Sequence, residues 1–228
     1  MEIDAAALKG KGFFQQAQKD KFSLRLCASG GNVTTGWLKQ VMEVADRYGG
    51  GKVHFTTRQQ VEIPDIAAEN VEAVQKLLSE AGIRTFTGGA RVRTVVACVG
   101  AAVCKFGKID TGALAKEIQD KYFARELPAK LKIAVTGCNN NCAKVEGTDI
   151  GVRGMPRGCQ LYFGGSFGRE IRLGQPFLPV LEDKDQALRV IDAAISFFAA
   201  NAEKGERLGK MIDHIGAAAF KKILEAAL

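Results

Sequence analysis

Phe22-Ser-Leu-Arg-Leu-Cys27-Ala-Ser-Gly-Gly-Asn32 opens the stretch that decides the fold, and that stretch runs on to Gly82. Phe22–Cys27 alternates apolar and polar residues as a half-buried strand does, and Ala28–Asn32 is a glycine turn. Thr34 or Thr35 then caps a helix with an apolar face of Trp37, Leu38, Val41, Met42 and Ala45, stopped by Gly49-Gly-Gly51. Lys52-Val-His-Phe-Thr-Thr57 reads as a second strand, and Gln60-Val-Glu-Ile63 as a third, closed by Pro64. A second helix follows from about Ala67, with Val71, Val74, Leu77 and Leu78 on one side and Gly82 at its end.

This β-α-β-β-α order fits a split βαβ unit of the ferredoxin-like kind, its helices on one face of an antiparallel sheet. Residues 1–21, ahead of it, read as a polar lead-in with one apolar step at Phe13-Phe14. Beyond it, Arg91–Cys98 is an apolar strand, and a helix runs from Asp110 or Thr111 to about Arg125. Lys130–Thr136 is a strand on which Lys130 and Lys132 point the same way. Ile150–Val152 and Gln160–Phe163 read as strands between glycine-rich turns. Asp185 is expected to cap a helix, and the segment from Arg207 is expected to be helical and amphipathic.

Four of the six cysteines fall as Cys98-x5-Cys104 and Cys138-Asn-Asn-Asn-Cys142. Two close pairs on separate segments suit four thiolates converging on a four-iron cluster. Zinc generally takes pairs two to four residues apart, which makes the first pair awkward for it. Zinc and free or disulfide-bonded cysteines stay open on spacing alone. Cys142 is expected to open a short helix whose positive end favours a thiolate.

The net charge of +7 points to an anionic partner, but the basic residues are dispersed and aromatics make up 7%. Nucleic acid calls for a basic stripe with interleaved aromatics, so it is not expected. A buried polyanionic ligand fits the same excess, as does a solvated surface. No apolar run reaches the length of a membrane span. The start, Met1-Glu-Ile-Asp4, lacks the basic-then-apolar layout of a secretion signal, so a cytoplasmic location is expected.

At Cys98-x5-Cys104 followed by Thr136-Gly-Cys-Asn-Asn-Asn-Cys-Ala143, the chain resembles the sirohaem-containing sulfite and nitrite reductases. Gly30–Thr35, Phe55–Gln60, Val92–Cys98, Leu127–Lys132 and Leu161–Gly165 are similar to family segments in the family's order, as is Glu206–Gly209. The resemblance implies an α+β protein: a ferredoxin-like domain with its lead-in over residues 1–86, packed on a sirohaem/[4Fe–4S]-binding domain over 87–184. Residues 185–228 would be C-terminal helices on that core. The length points to the small single-repeat, assimilatory-type members. Larger relatives carry two copies of each half, so a homodimer or a complex with other subunits is expected.

The resemblance also implies roles. Cys98, Cys104, Cys138 and Cys142 would hold the [4Fe–4S] cluster, with Cys142 shared as axial ligand to the sirohaem iron. Sirohaem carries eight carboxylates, which need cationic partners when buried. Arg58, Thr56, Thr57, Asn139, Asn141 and Arg25 would be among the residues that bind it. Arg93, Lys130 and Lys132 would line the substrate anion pocket, the lysines supplying protons. His54 and Glu62 stand where relatives have Arg and Gln, and Cys27 stands where the family has an anion-binding Arg. Cys159 has no implied role. The implied activity is six-electron reduction of sulfite to sulfide, with nitrite reduction to ammonia as the alternative. Outside that chemistry stand a non-catalytic electron-transfer or sensing protein and a zinc-stapled module. No Gly-x-Gly-x-x-Gly unit follows a strand, so a separate donor such as ferredoxin or a partner subunit is implied.

Overall fold

The computed structural model describes residues 4–228; Met1-Glu-Ile3, the start of the expected lead-in, lies outside the described residues. The protein is α+β and divides into two compact units, Met1–Gly89 and Ala90–Leu228. The C-terminal helices lie in the second unit. No helix among the described residues is long and apolar enough to cross a membrane.

The first unit contains α1 (Ala5–Gly10), β1 (Phe13–Gln15), β2 (Lys21–Leu26), α2 (Thr35–Tyr48), β3 (His54–Phe55), β4 (Val61–Ala67) and α3 (Val71–Glu80). The supposed lead-in thus supplies a helix and an edge strand. The antiparallel sheet has the order β1-β2-β4-β3, so β4 lies between the two strands that α2 connects. Alternation on β2 buries Phe22, Leu24 and Leu26 against Val61, Ile63 and Ile66 of β4 and the inner faces of α2 and α3. Thr34 caps α2, its hydroxyl accepting the Trp37 N–H at 3.1 Å. The buried face of that helix is Val41, Val44 and Ala45, while Met42, expected inside, is exposed.

Pro64 does not close β4. Pro64 and Asp65 sit where the β2–β4 register slips, and Asp65 takes a φ of 64°. A bulge of this kind accommodates a residue with no N–H to donate, so the strand continues to Ala67 and the helix starts four residues later than expected.

The second unit is built on a sheet of order β5-β6-β7-β8: β5 (Val96–Ala97), β6 (Ile133–Thr136), β7 (Ile150–Met155) and β8 (Gly158–Phe163). β5, β6 and β7 are parallel, with α4 (Thr111–Tyr122) linking the first two, and β8 returns antiparallel. The ladder over Arg91–Cys98 is short because the chain before Val96 makes only isolated bridges, Arg91 to Glu126 and Val92 to Leu131. β9 (Ser166–Phe167) and β10 (Ile171–Arg172) form a separate small hairpin.

α5 (Lys184–Asn201), α6 (Leu208–Ile215) and α7 (Ala217–Glu225) close the core. Asp183, not Asp185, caps α5 by accepting the N–H groups of Asp185 and Gln186. α5 buries Leu188, Val190, Ile191, Ile195 and Phe198, each such side chain contributing roughly 1.5–3 kcal/mol. The helical, amphipathic segment expected from Arg207 is two helices, divided at Gly216, whose φ of 89° ends α6. Phe220 on α7 then meets Phe163 of β8 edge-to-face, centroids 5.5 Å apart.

Candidate functional site

Val96 and Ala97 pair in parallel with Ala134 and Val135, so β5 and β6 deliver Cys98 and Cys138 to the same end of the sheet. The Cys98 N–H still donates to Val135 O, at 3.1 Å. Beyond that point the two cysteine loops interlock. Gly137 N–H donates to Cys98 Sγ at 3.1 Å, Lys108 N–H to Gly137 O at 2.7 Å, and the Thr111 hydroxyl to Cys98 O. A Cβ on Gly107 would lie 2.4 Å from the Ala101 nitrogen, one on Gly137 3.1 Å from the Gly100 Cα, and one on Gly154 2.4 Å from the Gly137 oxygen. The loops meet backbone to backbone, which only glycine permits. Cys104 is folded back on the first loop by its N–H donating to Gly100 O at 2.8 Å.

All six cysteines are free thiols: Cys159 is buried, Cys142 exposed and the rest partly buried. Cys142 opens no helix. Asn141 and Lys144 take φ of 52° and 51°, which turns the chain too tightly for one, and only a 3-10 turn follows at Val145–Gly147. Burial works to raise the Cys98 thiol pKa. Hydrogen bonds from the Gly137 and Gly100 backbone and the Thr136 and Thr111 side chains outweigh it and hold the thiol below its ordinary range. A thiolate ringed by N–H donors is the donor chemistry that iron–sulfur clusters use. Among the described residues, no three His, Cys, Asp or Glu side chains stand together as ligands of a single metal ion. A four-iron cluster takes its thiolates from points wider apart than a single ion does, and the donor ring around Cys98 is chemistry that suits one.

The other expected site residues fall elsewhere. In the second unit, Arg93 N–H donates to Leu131 O at 2.8 Å, and Lys130 and Lys132 enter β6 at the end where Cys138 does not leave it. Six residues of extended chain span roughly 20 Å, so the basic trio and the cysteines lie at opposite ends of the parallel strands. Lys130 is exposed and Lys132 partly buried. Lys132 N–H donates to Asp149 Oδ2 at 2.7 Å, and Asp149 takes two further bonds from Arg207, at 2.9 Å from Nε and 2.6 Å from Nη2. Burial pushes the Asp149 carboxyl upward, opposed by the Arg207 guanidinium and the Lys132 N–H.

In the first unit, Thr56, Thr57 and Arg58 form a tight turn closed by Gln59 at a φ of 60°. Gln60 locks it. Its buried amide donates to Arg58 O at 2.7 Å and to Ala28 O at 3.2 Å, and accepts Ala28 N–H at 3.0 Å. Arg25 pairs with Glu62, its neighbour across the β2–β4 ladder, and lies between the Phe14 and Phe86 rings at 4.7 and 5.1 Å. His54 faces Glu62 from β3, so two of the three residues that depart from the resembled family stand side by side. Cys27 follows directly on β2, its N–H donating to Arg84 O at 2.9 Å.

Residues 88–228 match the family described as the nitrite and sulphite reductase 4Fe-4S domain, and residues 14–81 match the nitrite/sulfite reductase ferredoxin-like half domain. The chain belongs to the nitrite and sulphite reductase family. Among family members, the nitrite reductase [NAD(P)H] large subunit of Klebsiella oxytoca is 32% identical over 89% of this chain, which spans only 21% of that protein. The assimilatory-type sulfite reductase of Nitratidesulfovibrio vulgaris is 28% identical, with 93% of this chain and 96% of that one covered. The NirA protein of Mycobacterium tuberculosis shares the fold, with a TM-score of 0.82 at 21% identity, over 96% of this chain and 45% of that one. Both halves of the family's unit are therefore present once, as in a small single-repeat member.

Within this family frame, the second cysteine loop has a support that its motif does not spell out. Asn141 donates to Glu146 and accepts the Val145 N–H at 2.9 Å. Glu146 is in turn ion-paired with Arg153 of β7, which donates to the Tyr162 hydroxyl at 3.0 Å and stacks on that ring. Asn139 is exposed and Asn141 only partly so. The chain of contacts ties the residue before Cys142 to the β7–β8 hairpin.

Proposed function

We propose that this chain is a sirohaem- and [4Fe–4S]-dependent reductase that takes sulfite to sulfide by six electrons, in the cytoplasm, where thiols stay reduced. The observation that carries the reading is the interlocking of the Cys98–Cys104 and Cys138–Cys142 loops at one end of the sheet. Cys98, Cys104, Cys138 and Cys142 would hold the cluster, and the exposed Cys142 would be the one shared with the sirohaem. When bound, the cluster and the sirohaem would supply the electrons for the reduction. Arg58, with Thr56, Thr57, Arg25, Asn139 and Asn141, would meet the sirohaem carboxylates, for which charge-assisted hydrogen bonds are the strong contacts. Arg93, Lys130 and Lys132 would hold an anion, the lysines giving up protons as oxygen leaves as water. Because they lie at the far end of β6 from this chain's own Cys138, they would do so at the redox centre of a second copy, which the expected homodimer would bring to them.

Nitrite reduction to ammonia is the second reading, favoured by the 32% identity to a nitrite reductase large subunit. The test is the absorption spectrum, iron and tetrapyrrole content of anaerobically purified protein, with reduced-viologen assays on both anions. Wild type is expected to carry both groups and to turn over sulfite faster, and Cys142→Ser to lose the tetrapyrrole. Full retention of iron and tetrapyrrole with normal turnover in Cys142→Ser would overturn the reading. Lys130→Gln and Lys132→Gln are expected to raise KM for the anion about tenfold, the loss of one charge-assisted contact.

A further inference from the structure

The two faces of the second unit's sheet are unlike. Val135, Val152 and Leu161 point into the large core under the helices. Ala134 and Tyr162 belong to the other face, where Val96, Ala143 and Val145 pack with them. Side chains alternate along a strand, so Thr136 of β6 and Arg153 of β7 lie on that second face too, directly opposite one another in the ladder. The segment that covers this face, residues 143–145, follows Cys142 without a break.

Arg153 therefore touches the surroundings of both cysteine loops without belonging to either. The hydroxyl of its ladder neighbour Thr136 lies 3.7 Å from Cys98 Sγ, and its ion-pair partner Glu146 holds Asn141, the residue before Cys142. The Arg153 and Glu146 side chains are 16% and 20% exposed, so solvent screens this pair less than a surface pair such as Lys116 with Asp120.

The guanidinium carries more donors than the chain uses. Nη2 meets Glu146, and Nη1 donates to the Tyr162 hydroxyl at 3.0 Å. Nε is buried and, among the described residues, has no hydrogen-bond partner. A purely structural arginine pairs its buried N–H groups, because a buried donor left unpaired is costly. A spare donor on a shielded cation, beside a threonine that meets one cysteine sulfur and a carboxylate that holds the other loop, suits an anionic acceptor that enters with a bound group.

We infer that Arg153, opposed by Glu146, sets the reduction potential of the centre held by Cys98, Cys104, Cys138 and Cys142, its Nε–H serving a sulfur of that centre. This deepens the proposed function and rests on it in one respect, that the four cysteines hold an iron–sulfur cluster. Reduction by one electron, from dithionite for instance, adds one negative charge to the cluster and breaks no bond. A nearby cation and N–H donor favour the reduced form and raise the potential. The Glu146 carboxylate favours the oxidised form and lowers it. Each residue therefore moves the potential in its own direction.

The experiment titrates anaerobically purified holoprotein with dithionite and mediators, following the reduced cluster by electron paramagnetic resonance alongside iron content. Arg153→Gln should move the midpoint downward by about 59 mV or more, a tenfold change in a one-electron equilibrium. Glu146→Gln, which keeps a group that can bond Asn141 and loses the charge, should move it upward. Arg153→Gln/Glu146→Gln should fall between those two. Arg153→Lys, with the charge but no Nε–H, should lie below wild type and above Arg153→Gln. Where Arg153→Gln fails to hold iron, Glu146→Gln and Arg153→Lys decide the matter. Wild-type midpoints in every variant that retains full iron overturn the inference, as do shifts of Arg153→Gln and Glu146→Gln in the same direction. A wild type with no iron–sulfur signal overturns the proposed function and the inference together. Opposed shifts in a protein that reduces neither anion leave the inference standing and remove the reductase reading.

Discussion

Arg207→Met should be among the most damaging single changes away from the cysteines. Asp149 is 1% exposed, and two of the three hydrogen bonds to its carboxylate come from Arg207. Removing the guanidinium leaves a buried carboxylate with only the Lys132 N–H, at 2.7 Å. Breaking a buried pair in this way costs about 3–5 kcal/mol, which for a protein of this size lowers Tm by about 10 °C. The cost depends on pH. Burial already pushes the Asp149 carboxyl upward, and losing Arg207 raises it further. The folded variant then holds a proton that the unfolded chain releases, so its stability falls as pH rises through the raised value and recovers toward acid. Urea melts followed by circular dichroism at pH 8 and pH 5.5 should show the gap from wild type narrowing at the lower pH. Asp149→Asn/Arg207→Met, with both charges gone, should recover much of the loss. An Arg207→Met protein within about 1 kcal/mol of wild type at pH 8 would refute the idea that this pair anchors the C-terminal helices to the strand bearing Lys132.

Two further outcomes can be checked directly. A methyl at Gly154 would sit 2.4 Å from the Gly137 oxygen, so Gly154→Ala should displace the second cysteine loop and cut bound iron by about half or more, while Gly168→Ala, with nothing within 4 Å, should leave iron content unchanged. In cluster-free protein at neutral pH, iodoacetamide should reach Cys98, whose thiol is held below its ordinary range, well before Cys159, which burial pushes up to about 11; equal rates by peptide mass spectrometry would contradict both environments.

Much of this arrangement is written locally in the chain. The alternation of Phe22–Cys27, the Thr34 cap and the apolar stripe of α2 announce the first sheet and its helix, because period and capping are properties of a few adjacent residues. The β-α-β-β-α order survives although β3 shrinks to two residues and β4 runs through Pro64, since a bulge is invisible until the partner strand is in register. The cysteine motif marks its loops, yet nothing local says that Gly107, Gly137 and Gly154 are the contacts joining them. Asp149 and Arg207 were equally silent, because a buried pair formed across distant segments leaves no periodic trace. The opposed ends occupied by Lys132 and Cys138 follow from strand direction alone, and a motif list discards direction.

The glycine seam between the cysteine loops separates two kinds of evolutionary freedom. Because the loops are knitted by main chain, the inward positions are pinned, while the exposed Val99, Val103, Lys105 and Phe106 can change without disturbing that seam. A lineage could therefore rewrite a handful of outward side chains here and so change what this loop meets, while its main-chain course stays as it is.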